Sequence, residues 1–277
     1  MPLLDDPLLL DDLVRHVGGG PVTVLKDTKV LVVRVGNVVV KAHPVETDEA
    51  DLRARLAVQL PDDLMLSALS LDRIGDRLVS VWPAGRPLTP DDLDDAPWEH
   101  AGELLAELHR RPVPDGTPMM GAPARVTDAV GRLLPGDLPA LAYPALDLTQ
   151  RRRLLTHGDF HLGQLVEYGG RWVLIDPDDL GWGDPVWDLA RPAAWFASGI
   201  LDPESWDRLT RSYLRAGGVA ISGDDMWREL DGPARALTVQ LAAVAVANAR
   251  EDGTPLDDAA AALMSSCERI LATPPLS

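Results

Sequence analysis

Three side chains within one short stretch carry chemistry. Asp159 lies in Leu155-Thr-His-Gly-Asp-Phe-His-Leu-Gly-Gln164, Gln164 ends that run, and Asp176 closes Trp172-Val-Leu-Ile-Asp176. These are the groups that phosphoryl transfer requires. One carboxylate orients an attacking hydroxyl or accepts its proton, while an amide oxygen and a second carboxylate hold magnesium against nucleotide phosphates. The step from Asp159 to Gln164 keeps the D-x-x-x-x-N spacing of a kinase catalytic loop, with glutamine where asparagine is usual. The added methylene moves the amide carbonyl outward by about 1.5 Å. The loop must therefore sit further back, or hold a second metal more loosely.

His157-Gly-Asp-x-His161-x-x-Gln164, then Ile175-Asp-x-Asp178, then Gly183-Asp-Pro-x-x-Asp188-Leu-Ala, taken together, resemble the aminoglycoside phosphotransferase family of small-molecule kinases. The resemblance implies an α+β, protein-kinase-like fold of two lobes. A small antiparallel β-sheet lobe that binds nucleotide is expected over 1–84, and a larger, mainly helical catalytic and substrate lobe over 85–277. It implies ATP, with GTP as an alternative, and Mg2+ as cofactors. Asp159 would be the catalytic carboxylate and His157 would brace its loop. Asp188 would accept hydrogen bonds from the loop backbone, and Asp176 would bridge magnesium to the phosphates with Gln164 as a neutral oxygen ligand. Maltokinase- and glucosamine-kinase-like members carry a similar His-Leu-Gly-Gln ending, which keeps a sugar or amino sugar open as the acceptor. A zinc site on His157 and His161 is disfavoured, because Gly158 and the preceding strand argue against the helix that would bring them together.

The elements that must position these groups are legible on either side. Val22 to Lys26, Val30 to Val35 and Val38 to Ala42 are β-rich, with Gly36-Asn37 as a hairpin signal. Lys41 on the third strand is the candidate partner of the nucleotide's α- and β-phosphates. Thr47 is expected to cap a helix running to about Leu60. Glu49, Leu52 and Leu56 recur at helical spacing, so Glu49 is a candidate partner for Lys41; a first-turn acid that only complements the helix dipole has the same sequence. Met65 to Leu71 and Arg77 to Trp82 complete a five-stranded sheet. Trp82-Pro-Ala-Gly-Arg-Pro87 reads as an irregular linker, along which the backbone of Trp82 and Ala84 would contact adenine.

Beyond the linker the chain turns helical, with a leucine stripe at Leu104, Leu105 and Leu108 ending in a structural His109. Residues 113–126 read as a loop. Helical turns broken by Pro135, Pro139 and Pro144 lead to a solvated helix end at Gln150-Arg-Arg-Arg153, and helices are expected at about 186–198, 203–216, 224–249 and 256–271. Asp178, Asp179 and Asp184 crowd the site with Trp172, Trp182, Trp187 and Trp195. Acids among aromatic faces suit a polyhydroxylated or amine-bearing acceptor, and buried core tryptophans give the same pattern.

A chain of 277 residues, 46% of them apolar, buries a sizeable core. The single cysteine, Cys267, excludes an internal disulfide and points to a reducing compartment, so the cytoplasm is expected. No secretion signal is expected from the unbasic Met1-Pro-Leu-Leu-Asp-Asp, and the alanine-rich run Ala236 to Ala249 is too short to span a bilayer. The net charge of -17 disfavours nucleic acid and anionic membranes as partners. It would draw in a cationic small-molecule hydroxyl acceptor, although a general compositional bias produces the same acidity. The expectation is an ATP-dependent phosphotransferase acting on an aminoglycoside or related antibiotic. A sugar or amino-sugar kinase and a catalytically silent nucleotide-binding module are the alternatives. Protein-kinase activity is disfavoured, because Asp176 leads within a few residues into Gly183-Asp-Pro with no long activation segment. Oligomeric state is not legible in the sequence.

Overall fold

Runs of valine broken by glycine turns build the first sheet, and long alanine- and leucine-rich segments build the helices. The computed structural model describes residues 3, 7–92, 95–137 and 146–273. In chain order the strands are β1 (Val22–Asp27), β2 (Leu31–Val35), β3 (Val38–Ala42), β4 (Ser70–Ile74), β5 (Arg77–Pro83), β6 (Arg86–Pro87), β7 (Leu154–Thr156), β8 (Leu165–Tyr168), β9 (Arg171–Leu174) and β10 (Gly181–Gly183). The helices are α1 (Pro7–His16), α2 (Glu49–Leu56), α3 (Trp98–His109), α4 (Ala122–Gly131), α5 (Val186–Ala197), α6 (Pro203–Arg215), α7 (Met226–Asp252) and α8 (Asp258–Ala272).

The chain divides into two compact units, Met1–Leu93 with Leu165–Asp178, and Asp94–Gln164 with Asp179–Ser277. A single cut at residue 84 does not describe this division. The β8–β9 hairpin returns to the first unit because β8 pairs with β6, and because Leu174 exchanges backbone hydrogen bonds of 2.9 Å with Leu64 and Leu66.

In the first unit the antiparallel sheet runs β1-β2-β3-β5-β4. Gly36 takes φ 58° in the β2–β3 turn, a left-handed conformation that glycine adopts without steric cost. Side chains alternate across a strand, so Leu31, Val33 and Val35 of β2 and Val40 and Ala42 of β3 enter one core with Val79, Val81 and Leu13 of α1. Lys41, lying between Val40 and Ala42, must face the other side of the sheet.

Several local expectations change. Asp48, rather than Thr47, caps α2: its carboxylate accepts from the amides of Ala50 and Asp51, while the Thr47 amide donates to Pro44 O in the preceding turn. The helix stops at Leu56, short of Leu60, where Pro61 disfavours helical backbone. The fourth strand is Ser70–Ile74. Met65 instead forms an isolated parallel bridge with Leu174, because Leu64, Met65 and Leu66 are buried beside the β8–β9 hairpin. The linker after Trp82 is not irregular throughout, since Arg86–Pro87 pairs with Glu167 and Val166.

In the second unit α3 packs on α6, α5 on α7, and α7 on both α4 and α8. Ala129, Val239, Ala242, Ala243, Leu263 and Cys267 form the core at the α4, α7 and α8 contact. The expected loop of 113–126 ends earlier: α4 begins at Ala122, with Pro123 in its first turn, where no amide donor is needed. Residues 150–153 form no helix end. Arg152 donates to Asp184 Oδ1 and to the carbonyls of Val219 and Ala220, and Arg153 lies 4.3 Å over the Trp182 ring. The turns expected about Pro139 and Pro144 lie outside the described residues. Among the described residues, no helix is long and apolar enough to cross a membrane.

Candidate active site

The short antiparallel pair β7 and β10, with Leu155 opposite Trp182, fixes both ends of the segment that carries His157, Gly158 and Asp159. Gly158 has φ 83°, and a Cβ there would lie 2.2 Å from Asp179 O, so only glycine lets the loop pass. Behind it, fully buried Asp188 on α5 accepts the His157 amide at 2.7 Å on Oδ2 and the Gly158 amide at 2.8 Å on Oδ1. His109 Nε2 lies 3.0 Å from the same Oδ2, and its Nδ1 is 2.8 Å from the Tyr213 hydroxyl, which also accepts the Ala220 amide. Burial alone would raise the Asp188 carboxyl, but the His109 ring and the His157 amide outweigh it and hold the group below the usual carboxylate range. His157 itself is buried, its ring edge-on to Phe160. His109, read from the sequence as a core residue, is thus the second layer behind the loop.

Asp159 is almost enclosed by arginine. Arg191, one helical turn beyond Asp188 on α5, donates from Nη2 to Oδ1. Arg125 on α4 donates from Nη2 to Oδ2 at 3.0 Å, and its Nη1 reaches Asp179 Oδ2 at 2.9 Å. Neither arginine was singled out in the sequence. The helical spacing of Asp188 and Arg191 was visible there, but nothing marks Arg125, which approaches from a distant helix.

In the first unit, Lys41 Nζ lies 2.6 Å from Asp176 Oδ1 and 2.7 Å from Asp178 Oδ2. Desolvation alone would lower the Lys41 pKa, but the two carboxylates outweigh it and hold the ammonium well above the ordinary lysine range. For Asp178 the opposing balance holds: burial would raise it, yet Lys41 and then His43 keep it far below the ordinary carboxylate range. His43, two residues after Lys41 and on the same face of the sheet, places Nδ1 3.4 Å from Asp178 Oδ2 and Nε2 2.8 Å from Ser80 Oγ. Ser80 Oγ also accepts the buried Trp82 indole N–H at 2.9 Å. Asp176 takes φ 61°, a left-handed conformation that costs a non-glycine residue about 1–3 kcal/mol. Pro177 further narrows its choices.

One expectation about this half is corrected. Glu49 does not reach Lys41: its half-exposed carboxylate pairs with Arg53 at 2.7 Å and Arg73 at 2.6 Å. The helix has turned that acid toward the arginine of the edge strand β4, and the lysine takes its carboxylates from the segment that follows β9 instead. At Ala84 the backbone amide donates to Asn37 O at 2.9 Å, continuing the β3–β5 pairing, while Trp82 is held in the ladder opposite Val39.

The residues fit a divalent cation in one specific respect. Asp178 Oδ1 is buried and has no hydrogen-bond partner among the described residues, an oxygen left for a ligand of opposite charge. Among the described residues, no group of three or more His, Cys, Asp or Glu side chains forms a ready metal site. Magnesium is commonly held by one or two carboxylates, with phosphates and water completing the shell. Asp176 and Asp178 are the carboxylates of the first unit; Gln164, buried at the end of the 3-10 turn Leu162–Gln164, is the amide of the second.

The sequence matches the phosphotransferase enzyme family, APH, over residues 23–232. No match is found among curated proteins. Among solved structures, a choline/ethanolamine kinase family protein from Mesorhizobium loti superposes with a TM-score of 0.67 at 19% identity, covering 98% of this chain and 95% of that one. An amicoumacin kinase bound to AMP-PNP, Ca2+ and amicoumacin gives 0.63 at 14% identity, over 98% and 94%. The aminoglycoside phosphotransferase APH(3'')-Id from Streptomyces rimosus gives 0.58 at 21% identity, over 86% and 98%. At these identities the structures speak for the protein-kinase-like fold alone. The extent of the family match, more than half of a chain that also folds this way, makes this protein a member of the aminoglycoside phosphotransferase family, phosphotransferases with an alcohol group as acceptor.

Proposed function

We propose that the protein transfers the γ-phosphoryl group of ATP, with a divalent cation, to a hydroxyl of a small amine-bearing molecule of the aminoglycoside or related antibiotic class. The observation that carries this reading is the meeting of Lys41 on β3 with Asp176 and Asp178, two carboxylates from the segment that follows β9, with Asp178 Oδ1 left without a hydrogen-bond partner among the described residues. Lysine neutralises phosphate oxygens, and a bound cation would neutralise the charge that develops on the leaving group. Positioning and charge compensation supply most of the rate in such reactions. Asp159, on a loop tied down by Asp188, orients the acceptor hydroxyl. Gln164 and Asp176 are the residues proposed to hold Mg2+, and His157 supports the loop from within. The amine in the acceptor is suggested by the chain's charge of -17 and by the structural neighbours, which include an amicoumacin kinase and an aminoglycoside phosphotransferase.

The test is a coupled assay for ADP release with MgATP and a panel of aminoglycosides, amino alcohols and free sugars. Turnover with an aminoglycoside supports the reading. Turnover with sugars alone would move the protein to the sugar-kinase alternative, and ATP binding without turnover on any acceptor would mark a silent nucleotide-binding module.

A further inference from the structure

Both oxygens of Asp159 are held by guanidinium groups, and the two guanidiniums differ in kind. Arg191 is 11% exposed at its side chain and sits on the same helix as Asp188. The hydrogen bond to Asp159 Oδ1 is its anchor. Helix α5 thus controls the loop twice: Asp188 fixes the backbone of His157 and Gly158, and Arg191 fixes the side chain of Asp159. Arg125 is 41% exposed and bridges two carboxylates, Asp159 Oδ2 through Nη2 and Asp179 Oδ2 through Nη1. It can release the first while remaining anchored on the second.

We propose that Arg191 is the positioning residue of Asp159, and that Arg125 is an exchangeable guard which the acceptor hydroxyl must displace from Oδ2. The proposal rests on the reading of Asp159 as the group that orients the acceptor. A carboxylate whose two oxygens each accept from a guanidinium presents little to a single water molecule, because water brings almost no binding energy to displace a charge-assisted hydrogen bond. A larger acceptor, bound through many contacts, can use part of its binding energy for that displacement. Arg125 would then discriminate between acceptor and water and keep nucleotide hydrolysis low in the absence of acceptor. The step itself balances as in any hydrolysis: water attacks the γ-phosphorus, the bond to the β-phosphate oxygen breaks, and inorganic phosphate, ADP and a proton leave.

The experiment uses MgATP alone, with water as the only acceptor. ATP affinity is measured by calorimetry and folding by thermal melting for the wild type, Arg125→Gln, Arg191→Met and Arg191→Lys. Arg125→Gln should raise acceptor-independent hydrolysis by about tenfold at unchanged ATP affinity, the factor carried by one exchanged hydrogen bond. Arg191→Met should lower the same rate by roughly 10- to 100-fold through loss of alignment, and Arg191→Lys should recover much of it. Arg125→Lys, which keeps the charge but cannot bridge two carboxylates as a fork, carries the same expectation as Arg125→Gln should the latter not fold. Hydrolysis that stays level or falls in the folded Arg125 variants, or an Arg191→Lys variant as slow as Arg191→Met, overturns the proposal. So does a complete lack of hydrolysis in every variant that binds ATP. A wild type that binds no ATP sinks the nucleotide reading instead.

Discussion

Lys41 Nζ and Asp176 Oδ1 lie 2.6 Å apart although 135 positions separate them in the chain. Asp178 closes on the same ammonium at 2.7 Å, so a single positive charge compensates two carboxylates. Replacing Lys41 by Met leaves Asp176 and Asp178 facing each other without it. The expected outcome is a destabilisation of roughly 1–3 kcal/mol, moderated because the acids are partly exposed, and a loss of most phosphotransfer. Urea unfolding and a turnover assay on the same preparation check both.

Asp159→Asn keeps the shape of the side chain but weakens its grip on a hydroxyl proton and on both arginines. Turnover should fall by about 10²- to 10⁴-fold with ATP affinity nearly unchanged. Calorimetry beside steady-state kinetics separates the two quantities. A variant with wild-type kcat would remove Asp159 from the reaction.

Asp188 makes the stability of the second unit depend on acid. Its carboxyl titrates below the ordinary range in the fold, so the unfolded chain binds that proton more readily. The stabilisation is present above the unfolded carboxylate pKa of about 3.9 and is lost as pH falls through the folded value. Asp188→Asn should lower the melting temperature at pH 7 and flatten its decline between about pH 5 and pH 2. An acid limb as steep as that of the wild type would show that other carboxylates dominate it.

Glu49 pairs with Arg53 and Arg73 at the surface of the first unit. Glu49→Gln should therefore leave ATP affinity unchanged and the melting temperature within about 2 °C of wild type. A large loss of ATP affinity in calorimetry would restore it as a functional partner of Lys41.

Cys267 on α8 is buried in the core that this helix shares with α4 and α7, and burial pushes its thiol up to about 11. At pH 8 it is protonated and shielded, so a disulfide reagent should react slowly with the native protein and rapidly with one equivalent per chain in denaturant. Rapid labelling of the native protein would mean that this core opens readily.

By itself the sequence determined the local quantities. The spacing of Asp159, Gln164, Asp176 and Asp188 named the chemistry, and valine runs with the Gly36-Asn37 turn marked β1, β2 and β3 to within a residue or two. Periodicity placed the last four helices to within three residues at each end, because strand and helix patterns repeat over distances shorter than the elements themselves. Pairing across the fold was decided only by tertiary structure. Glu49 was aimed at Lys41 by helical phase, yet Arg53 and Arg73 stood nearer, and Asp178 was one acid among several until the β8–β9 hairpin brought it to the lysine. Arg125 carried no signal at all, since a solvent-facing arginine and one clamped to a distant carboxylate have the same neighbours in sequence. Which charges meet depends on how the backbone folds back on itself, and that is set by packing of the whole unit rather than by any local pattern.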